Sequence, residues 1–124
     1  MAYQSRLSDD LISNIQTGIY QKIVIERKFQ DKDFTAEKLA DELGVDKRYI
    51  SATLGKMYNT KYNNFVNRHR VAFAVALLTD KQHHDMNVED IGLMAGFASR
   101  QSFYNAFKKI MGMTPIKYRQ QKTE

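Results

Sequence analysis

The sequence predicts an all-α protein built from short helices. Proline occurs once in the 124 residues, at Pro115, and no long run alternates β-branched with polar residues, so strands have little support. Apolar residues instead recur three and four positions apart, and capping residues stand at the ends of these segments. A hydrophobic fraction of 43% and a charged fraction of 27% are typical of an ordinary globular chain with one domain or two very small ones.

The first predicted segment, residues 1–34, is a helix followed by a polar connector. Ser8 can cap this helix, and Asp9 and Asp10 in its first turn suit the positive end of the helix dipole. The helix is expected to run to about residue 28. Its apolar stripe consists of Leu11, Ile12, Ile15, Ile19 and Ile23. We interpret this stripe as core, with a dimer contact as the less favoured alternative.

Three helices are predicted in the middle of the chain, over about 35–43, over about 47–58, and from Asn63 or Asn64 to about Leu78. Gly44 ends the first of them, because glycine accepts a left-handed backbone without steric cost. Asp46 caps the second. The inner face of that second helix is expected to hold Ile50, Thr53, Leu54 and Met57.

Two further helices are predicted in the C-terminal half, after a polar loop over 79–86. The first begins after its cap, Asn87, and ends at Gly96. The second runs from about Ser99 to Met111 and is stopped by Gly112. Thr114 then caps a final turn that begins at Pro115. Residues 120–124 are expected to form a charged tail.

The chain contains an internal repeat. The paired positions are Ala40 and Gly92, Gly44 and Gly96, Ile50 and Phe103, Leu54 and Phe107, Asn59 and Gly112, and Phe65 and Tyr118. The first two pairs lie 52 residues apart (92−40) and the other four lie 53 apart (103−50), so the second copy has one extra residue in its turn. Each copy consists of a short helix, a turn with glycine and a second helix. This order is typical of a helix-turn-helix, and the sequence therefore predicts two such units.

Positive charge is concentrated in two stretches of the chain. Of the net +5, residues 1–64 carry +1 (ten Lys/Arg, nine Asp/Glu) and residues 65–124 carry +4 (nine against five). Residues 44–72 and 97–124 each hold six basic side chains and one acid, with aromatic residues between them. This distribution suggests a polyanionic partner, but on its own a charged stretch is more often a solvated surface.

Several classes of protein are excluded by composition and pattern. The absence of cysteine excludes disulfides, thiolate metal sites and cysteine nucleophiles. The longest apolar run, Val71–Leu78, has eight residues, and no signal peptide is evident, so we expect a cytoplasmic protein with no membrane partner. His83 and His84 are adjacent in a polar loop and are not expected to bind a metal. No carboxylate pair or glycine-rich loop supports catalysis or a cofactor.

The segment Gly96–Arg119 (GFASRQSFYNAFKKIMGMTPIKYR) resembles the C-terminal signature of the AraC/XylS family of bacterial transcription regulators. Upstream, Leu39–Ser51 and Asn67–Leu78 resemble the first helix-turn-helix and the linker helix of that family. The resemblance covers about residues 35–119. The chain departs from the family pattern at Ala52, Asn59 and Gly92, where Arg, Gly and Ala are commoner.

The resemblance implies two helix-turn-helix subdomains, over 35–64 and 81–119, joined by a linker helix over 65–80. The helix from Phe65 to Leu78 within this linker has roughly 14 residues and spans about 20 Å. With the packed units at either end, the two recognition helices are expected to approach the roughly 34 Å between successive major grooves. One chain would then bind two adjacent groove segments of double-stranded DNA as a transcription regulator, without a cofactor. RNA polymerase and an upstream effector or signalling domain are further candidate partners.

The resemblance also implies which residues contact DNA. The base-reading positions of the family correspond to Arg48, Ser51, Ala52, Arg100, Gln101 and Asn105. Arg can bond O6 and N7 of guanine together, and Gln or Asn can do the same with adenine. The expected phosphate partners are Lys47, Lys56, Ser102, Tyr104, Lys108 and Lys109. Plain surface roles stay open for Ser51, Asn105 and Lys109, whereas Arg70 and Arg119 are expected to make structural ion pairs or cap helix ends.

Two other functions stay open at this point. In a helical protein-interaction module, the stripe from Ile12 to Ile23 would dock on a partner and the charge would be incidental. A nonspecific nucleic-acid binder would bind all duplexes alike. Salt-dependent preference for one duplex over scrambled DNA distinguishes these functions from sequence-specific DNA binding.

Overall fold

A computed structural model describes residues 8–123, and the regular elements in that range are all helical, which confirms the predicted all-α fold. The seven α-helices of this range are α1 (Asp9–Tyr20), α2 (Ala36–Leu43), α3 (Lys47–Tyr58), α4 (Tyr62–Leu78), α5 (Val88–Met94), α6 (Arg100–Met111) and α7 (Pro115–Thr123). Short 3₁₀ turns lie at Lys28–Gln30 and Lys81–His83. Among the described helices, none is long and apolar enough to cross a membrane.

The chain divides into two compact units. Within the described residues, the first unit holds 8–28 and 33–66, and the second holds 29–32 and 67–123. The boundary therefore falls inside α4, whereas the sequence predicts a separate linker over 65–80. Residues 29–32 also belong to the second unit and not to the N-terminal segment.

In the first unit, α1 begins as predicted and ends earlier. The Ser8 side chain accepts a hydrogen bond from the backbone N–H of Leu11 at 3.1 Å. After Tyr20 the helix widens into a π-helical turn over Gln21–Ile25, and Arg27 then adopts a left-handed backbone (φ 58°). Because an L-residue with positive φ cannot continue a right-handed helix, the helical segment stops short of residue 28.

The apolar stripe of α1 forms core within the first unit. Ile12, Ile15, Ile19 and Ile23 are all buried, and α1 packs against α2 and α3. Gly18 permits this packing, since a Cβ atom there would lie 2.8 Å from a terminal methyl group of Leu43. The stripe is therefore not a free surface within this unit.

The helix-turn-helix of the first unit consists of α2 and α3. Gly44 ends α2, the Asp46 side chain caps α3, and Asn59 ends α3 with a left-handed backbone (φ 50°). Ile50 and Leu54 are fully buried on the inner face of α3. These elements match the predicted boundaries, and they leave the face of α3 that carries Lys47, Arg48 and Ser51 exposed.

The helix-turn-helix of the second unit consists of α5 and α6. Asn87 caps α5 by accepting a hydrogen bond from the backbone of Asp90 at 2.8 Å, and Ser99 caps α6. The buried cluster of this unit consists of Val71, Ala74, Leu78, Val88, Ile91, Ala95, Phe97, Phe103, Ala106 and Phe107. The inward positions of α6 are therefore the predicted Phe103 and Phe107.

The connector Phe29–Lys32 is held on the second unit by hydrogen bonds to its backbone and side chains. The Arg70 guanidinium donates to the carbonyl oxygens of Phe29 (2.6 Å) and Asp31 (3.3 Å). Gln30 donates to the Met94 carbonyl at 3.0 Å. The predicted structural role of Arg70 is confirmed, although its bonds to this connector are to backbone carbonyls.

The C-terminal segment is more helical than predicted. In place of a single turn and a charged tail over 120–124, α7 continues to Thr123, because the residues after Pro115 include neither Gly nor Pro; Glu124 lies outside the described residues. Arg119 donates to the carbonyl oxygens of Leu78 (3.1 Å) and Met86 (2.6 Å). Arg119 thus caps the end of α4, as predicted.

Candidate nucleic-acid interface

The outward face of α3 begins with two cations that are paired with carboxylates. Lys47 Nζ lies 2.6 Å from Glu37 Oε1, on the first turn of α2. Arg48 donates from Nε and from an Nη atom to the two carboxylate oxygens of Asp46, each at 3.1 Å. Ser51, one turn further along α3, is exposed. Three of the predicted DNA-contacting side chains therefore share one exposed face of this helix.

The carboxylates beside these cations are stabilised in their charged form. The pKa of Asp46 is lowered, first by its hydrogen bond from the Arg48 side chain and then by that from the Arg48 backbone. The pKa of Glu37 is lowered chiefly by its hydrogen bond from Lys47. Both carboxylates therefore stay ionised at neutral pH and offset the two cations that lead α3.

The outward face of α6 carries a linked pair of amide side chains. The Gln101 amide donates to the side-chain oxygen of Asn105 at 2.9 Å, one helical turn away. Both residues are exposed, while Phe103 between them points into the core. The hydrogen bond restricts two side chains whose amide groups match the donor and acceptor pattern of adenine in the major groove.

Arg100, the first residue of α6, is oriented by two neighbours. Its Nε lies 3.3 Å from Glu89 Oε1, and its guanidinium stands 4.9 Å from the centroid of the Tyr104 ring. The Tyr104 hydroxyl donates to the same Glu89 oxygen at 3.3 Å. Glu89, Arg100 and Tyr104 therefore form one connected polar group at the exposed start of the helix.

The other predicted phosphate partners on α6 lie at the two ends of the helix. Ser102 belongs to the capping box, in which Ser99 Oγ accepts from the Ser102 backbone and Ser102 Oγ accepts from the Ser99 backbone. Lys108 and Lys109 are exposed in the last turn of the helix. The structure thus gives Ser102 a local capping role beside any contact with DNA.

The model of a helix-turn-helix domain family matches residues 39–121, which is more than half of the chain. A Bacillus subtilis protein named uncharacterized HTH-type transcriptional regulator YtdP is 30% identical over 115 residues, 93% of this chain. The melibiose operon regulatory protein of Escherichia coli K12 is 29% identical over 89 residues, 72% of this chain. A solved structure, the C-terminal domain of the response regulator AraT from Geobacillus stearothermophilus, has a TM-score of 0.75 at 25% identity and covers 94% of this chain and 88% of its own. The chain belongs to the AraC-type helix-turn-helix family.

The AraC-type family is one of DNA-binding transcription regulators, and the resemblance noted in the sequence is confirmed. The chain spans 14% of the length of the B. subtilis relative and 28% of that of the melibiose regulator.

One predicted base-reading residue of the AraC-type pattern lies in the core. Ala52 is only 4% exposed and packs against Ile12 of α1, together with Leu11 and Tyr49. Many members of the family carry an Arg at this position, whereas this chain has the small side chain of Ala52, which packs against α1. The expectation that Ala52 contacts a base is therefore wrong. The predicted phosphate partner Lys56 is exposed, with its Nζ 3.6 Å from Asp9 Oδ1.

Sequence patterns also missed the acidic side chains of this AraC-type interface. Glu37, Asp46 and Glu89 each pair with a cation at the start of a recognition helix. A signal was present, because Glu37 and Glu89 are 52 residues apart (89−37), the spacing of the first helices in the repeat. Comparing the acids of the two copies would have identified Glu37 and Glu89, but not Asp46, whose equivalent is Ser99.

Across residues 8–123, no group of three or more His, Asp or Glu side chains is arranged to hold a metal ion. His83 Nδ1 lies 2.7 Å from Asp80 Oδ2, and His84 Nδ1 lies 2.9 Å from the Lys81 carbonyl oxygen. The two imidazoles therefore pair with separate groups of their own loop.

Proposed function

We propose that this chain binds double-stranded DNA sequence-specifically, with α3 and α6 each entering a major-groove segment. The observation that carries the proposal is the same in both units: each second helix buries an inner apolar pair, Ile50 and Leu54 or Phe103 and Phe107, and exposes polar side chains at its N-terminal end. In helix-turn-helix proteins this end of the second helix contacts base edges. The two segments are proposed to be adjacent on one DNA molecule, so that a single chain recognises a bipartite site.

The proposed base contacts are made by Arg48, Ser51, Arg100, Gln101 and Asn105. Arg100 suits guanine, because its guanidinium can donate to O6 and N7 together. Gln101 and Asn105 suit adenine, which offers N7 as an acceptor and N6 as a donor. The hydrogen bond between these two amides at 2.9 Å supports a shared role, since it aligns them before DNA is bound.

The proposed phosphate contacts are made by Lys47, Lys56, Ser102, Tyr104, Lys108 and Lys109. They supply affinity and register without sequence information, by neutralising phosphates and releasing condensed counterions. The activity is binding without catalysis, and the proposed location is the bacterial cytoplasm, where regulatory DNA is accessible. RNA polymerase is proposed as the second partner through which the bound chain affects transcription.

Selection from a randomised duplex library at near-physiological salt tests this function. Two enriched blocks about 10 base pairs apart are expected, because that spacing returns the major groove to the same face of the helix. A single block would mean that one recognition helix carries the specificity. No enrichment, with binding that disappears as salt rises, would contradict sequence-specific binding and favour a nonspecific polyanion binder.

The alternative of a protein-interaction module rests on the stripe from Ile12 to Ile23. Ile12, Ile15, Ile19 and Ile23 are each at most 4% exposed within the first unit. A partner could not reach this stripe without displacing α1 from α2 and α3. The observation that would have favoured the alternative, a free apolar face on α1, is therefore not found within the described part of the first unit.

A further inference from the structure

Each helix-turn-helix unit places a glutamate against the first residue of its recognition helix. In the first unit, Glu37 Oε1 lies 2.6 Å from Nζ of Lys47, the first residue of α3. In the second unit, Glu89 Oε1 lies 3.3 Å from Nε of Arg100, the first residue of α6. Both glutamates are the second residue of the preceding helix, α2 or α5.

The two ion pairs occupy equivalent positions of the internal repeat. The glutamates are 52 residues apart (89−37) and the cations are 53 apart (100−47), which are the spacings of the first and second helices of the repeat. The pairs differ in chemistry, since one cation is an ammonium and the other a guanidinium. What is shared is a carboxylate in contact with the residue that leads the recognition helix.

We propose that Glu37 and Glu89 suppress nonspecific DNA binding by holding the leading cation of each recognition helix in an ion pair, and that Glu89 is also a specificity-determining residue because its partner, Arg100, is a proposed base contact. The inference rests on the proposed DNA-binding function and deepens it. A paired cation adds little to the sequence-independent attraction of the phosphate backbone, because the carboxylate offsets its charge. Such a cation contributes its full charge to DNA affinity only where a group of the DNA displaces the glutamate.

Displacement is feasible because both pairs are accessible to solvent. The side chains of Lys47 and Glu37 are 54% and 61% exposed, and those of Arg100 and Glu89 are 66% and 41% exposed. Ion pairs at such exposure are weak. Exchange of a carboxylate for a phosphate gains little, whereas exchange for the two acceptors of a guanine gains directional hydrogen bonds. Glu89 therefore penalises wrong sequences more than the right one, because Arg100 is the proposed guanine contact. Glu37 lowers the affinity for every duplex alike, because Lys47 is a proposed phosphate contact.

The first unit has a second ion pair of this kind at the start of its recognition helix. Asp46, the cap of α3, also holds Arg48 through both of its carboxylate oxygens. The equivalent residues of the second unit, 53 positions on, are the uncharged Ser99 and Gln101. Two cations at the start of α3 are thus offset by two acids, and one cation at the start of α6 is offset by one.

The experiment compares Glu37→Gln and Glu89→Gln with two matched controls, Asp41→Asn and Asp90→Asn. Each control removes one negative charge from the same helix at an exposed residue. Affinity is measured for the selected duplex and for a scrambled one over a range of salt concentrations. Each glutamate variant is expected to bind scrambled DNA several-fold more tightly. The gain on the selected duplex should be smaller for Glu89→Gln and about equal for Glu37→Gln. In each variant the dependence of log K on log salt should steepen by about 0.9 as one more cation neutralises a phosphate.

The outcomes separate a contact effect from a general charge effect. Equal gains in the glutamate and aspartate variants would overturn the inference. So would a gain from Glu89→Gln that persists in an Arg100→Ala background, since the glutamate would then act without its cation. Thermal unfolding of each variant checks that the fold is kept. Failure of the unmodified chain to bind any duplex would instead refute the proposed function, which keeps the two tests distinct.

Discussion

Gly96 is the position where a single methyl group should cost this protein most. Its backbone has φ +108°, a conformation that residues with a side chain rarely adopt. A Cβ atom would also lie 2.3 Å from the carbonyl oxygen of Phe29 and 2.8 Å from Cα of Gln30. That carbonyl is held by Arg70 at 2.6 Å, so it cannot retreat without loss of a hydrogen bond. Gly96→Ala therefore combines backbone strain with a clash against fixed main chain.

The magnitude follows from these two contributions. A left-handed conformation costs a residue with a Cβ atom about 1–2 kcal/mol, and overpacking costs about 1–3 kcal/mol. We expect Gly96→Ala to lower the free energy of unfolding by about 2–5 kcal/mol. Gly112→Ala is the matched control, because Gly112 has φ +78° and a Cβ atom added there would meet no heavy atom of the described chain within 4 Å beyond its immediate neighbours. The Gly112→Ala control should lower the free energy of unfolding only by the cost of the left-handed backbone.

Urea unfolding followed by far-UV circular dichroism measures both variants against the parent chain. The difference between Gly96→Ala and Gly112→Ala isolates the contact of the turn with residues 29–32. Equal losses in the two variants would refute the claim that the connector packs tightly on this turn. An unchanged midpoint for Gly96→Ala would refute the backbone assignment as well.

Three other predictions concern a buried hydroxyl, a histidine and a base contact. Thr53 is fully buried, and its hydroxyl has no hydrogen-bond partner within residues 8–123. Thr53→Val should therefore raise the free energy of unfolding by about 1 kcal/mol. A lower melting temperature in this variant would contradict the prediction. Burial and then the charge of Arg68 lower the pKa of His69, so the unfolded chain takes up the proton first as pH falls through about 6.5. Urea midpoints should therefore decrease from pH 7 to pH 5, and less so in His69→Gln; an identical decrease in the variant would exclude His69 as a cause. Arg100→Ala should cost about 1–3 kcal/mol of binding at one base position, whereas a uniform loss over all sequences would make it a phosphate contact.

The helices could be predicted from sequence because their signals are local. Ser8, Asp46, Asn87 and Ser99 all cap helices where the pattern places them, since a capping side chain needs only the backbone two or three residues ahead. The repeat added the pairing of helices within each unit. No local pattern indicated the π-helical turn after Tyr20.

The errors in the predicted site arose from contacts between segments far apart in the chain. Ala52 has the spacing of an outward residue, yet Ile12, 40 positions earlier (52−12), covers it. The connector 29–32 contacts the turn at Gly96 through backbone atoms. A hydrophobic pattern describes side chains only and therefore cannot predict this contact. The ion pairs of Glu37 and Glu89 likewise depend on how two helices are apposed within each unit, which periodicity alone does not determine.

Protection of guanine N7 from methylation tests the central claim most directly, because N7 lies in the major groove and is accessible only when no side chain covers it. The measurement uses the duplex recovered by selection, with the intact chain at near-physiological salt. Two clusters of protected or interfering guanines about one helical turn apart are predicted, with one cluster lost in Arg48→Ala and the other in Arg100→Ala. Backbone protection without any change at guanine N7 would contradict major-groove recognition by α3 and α6.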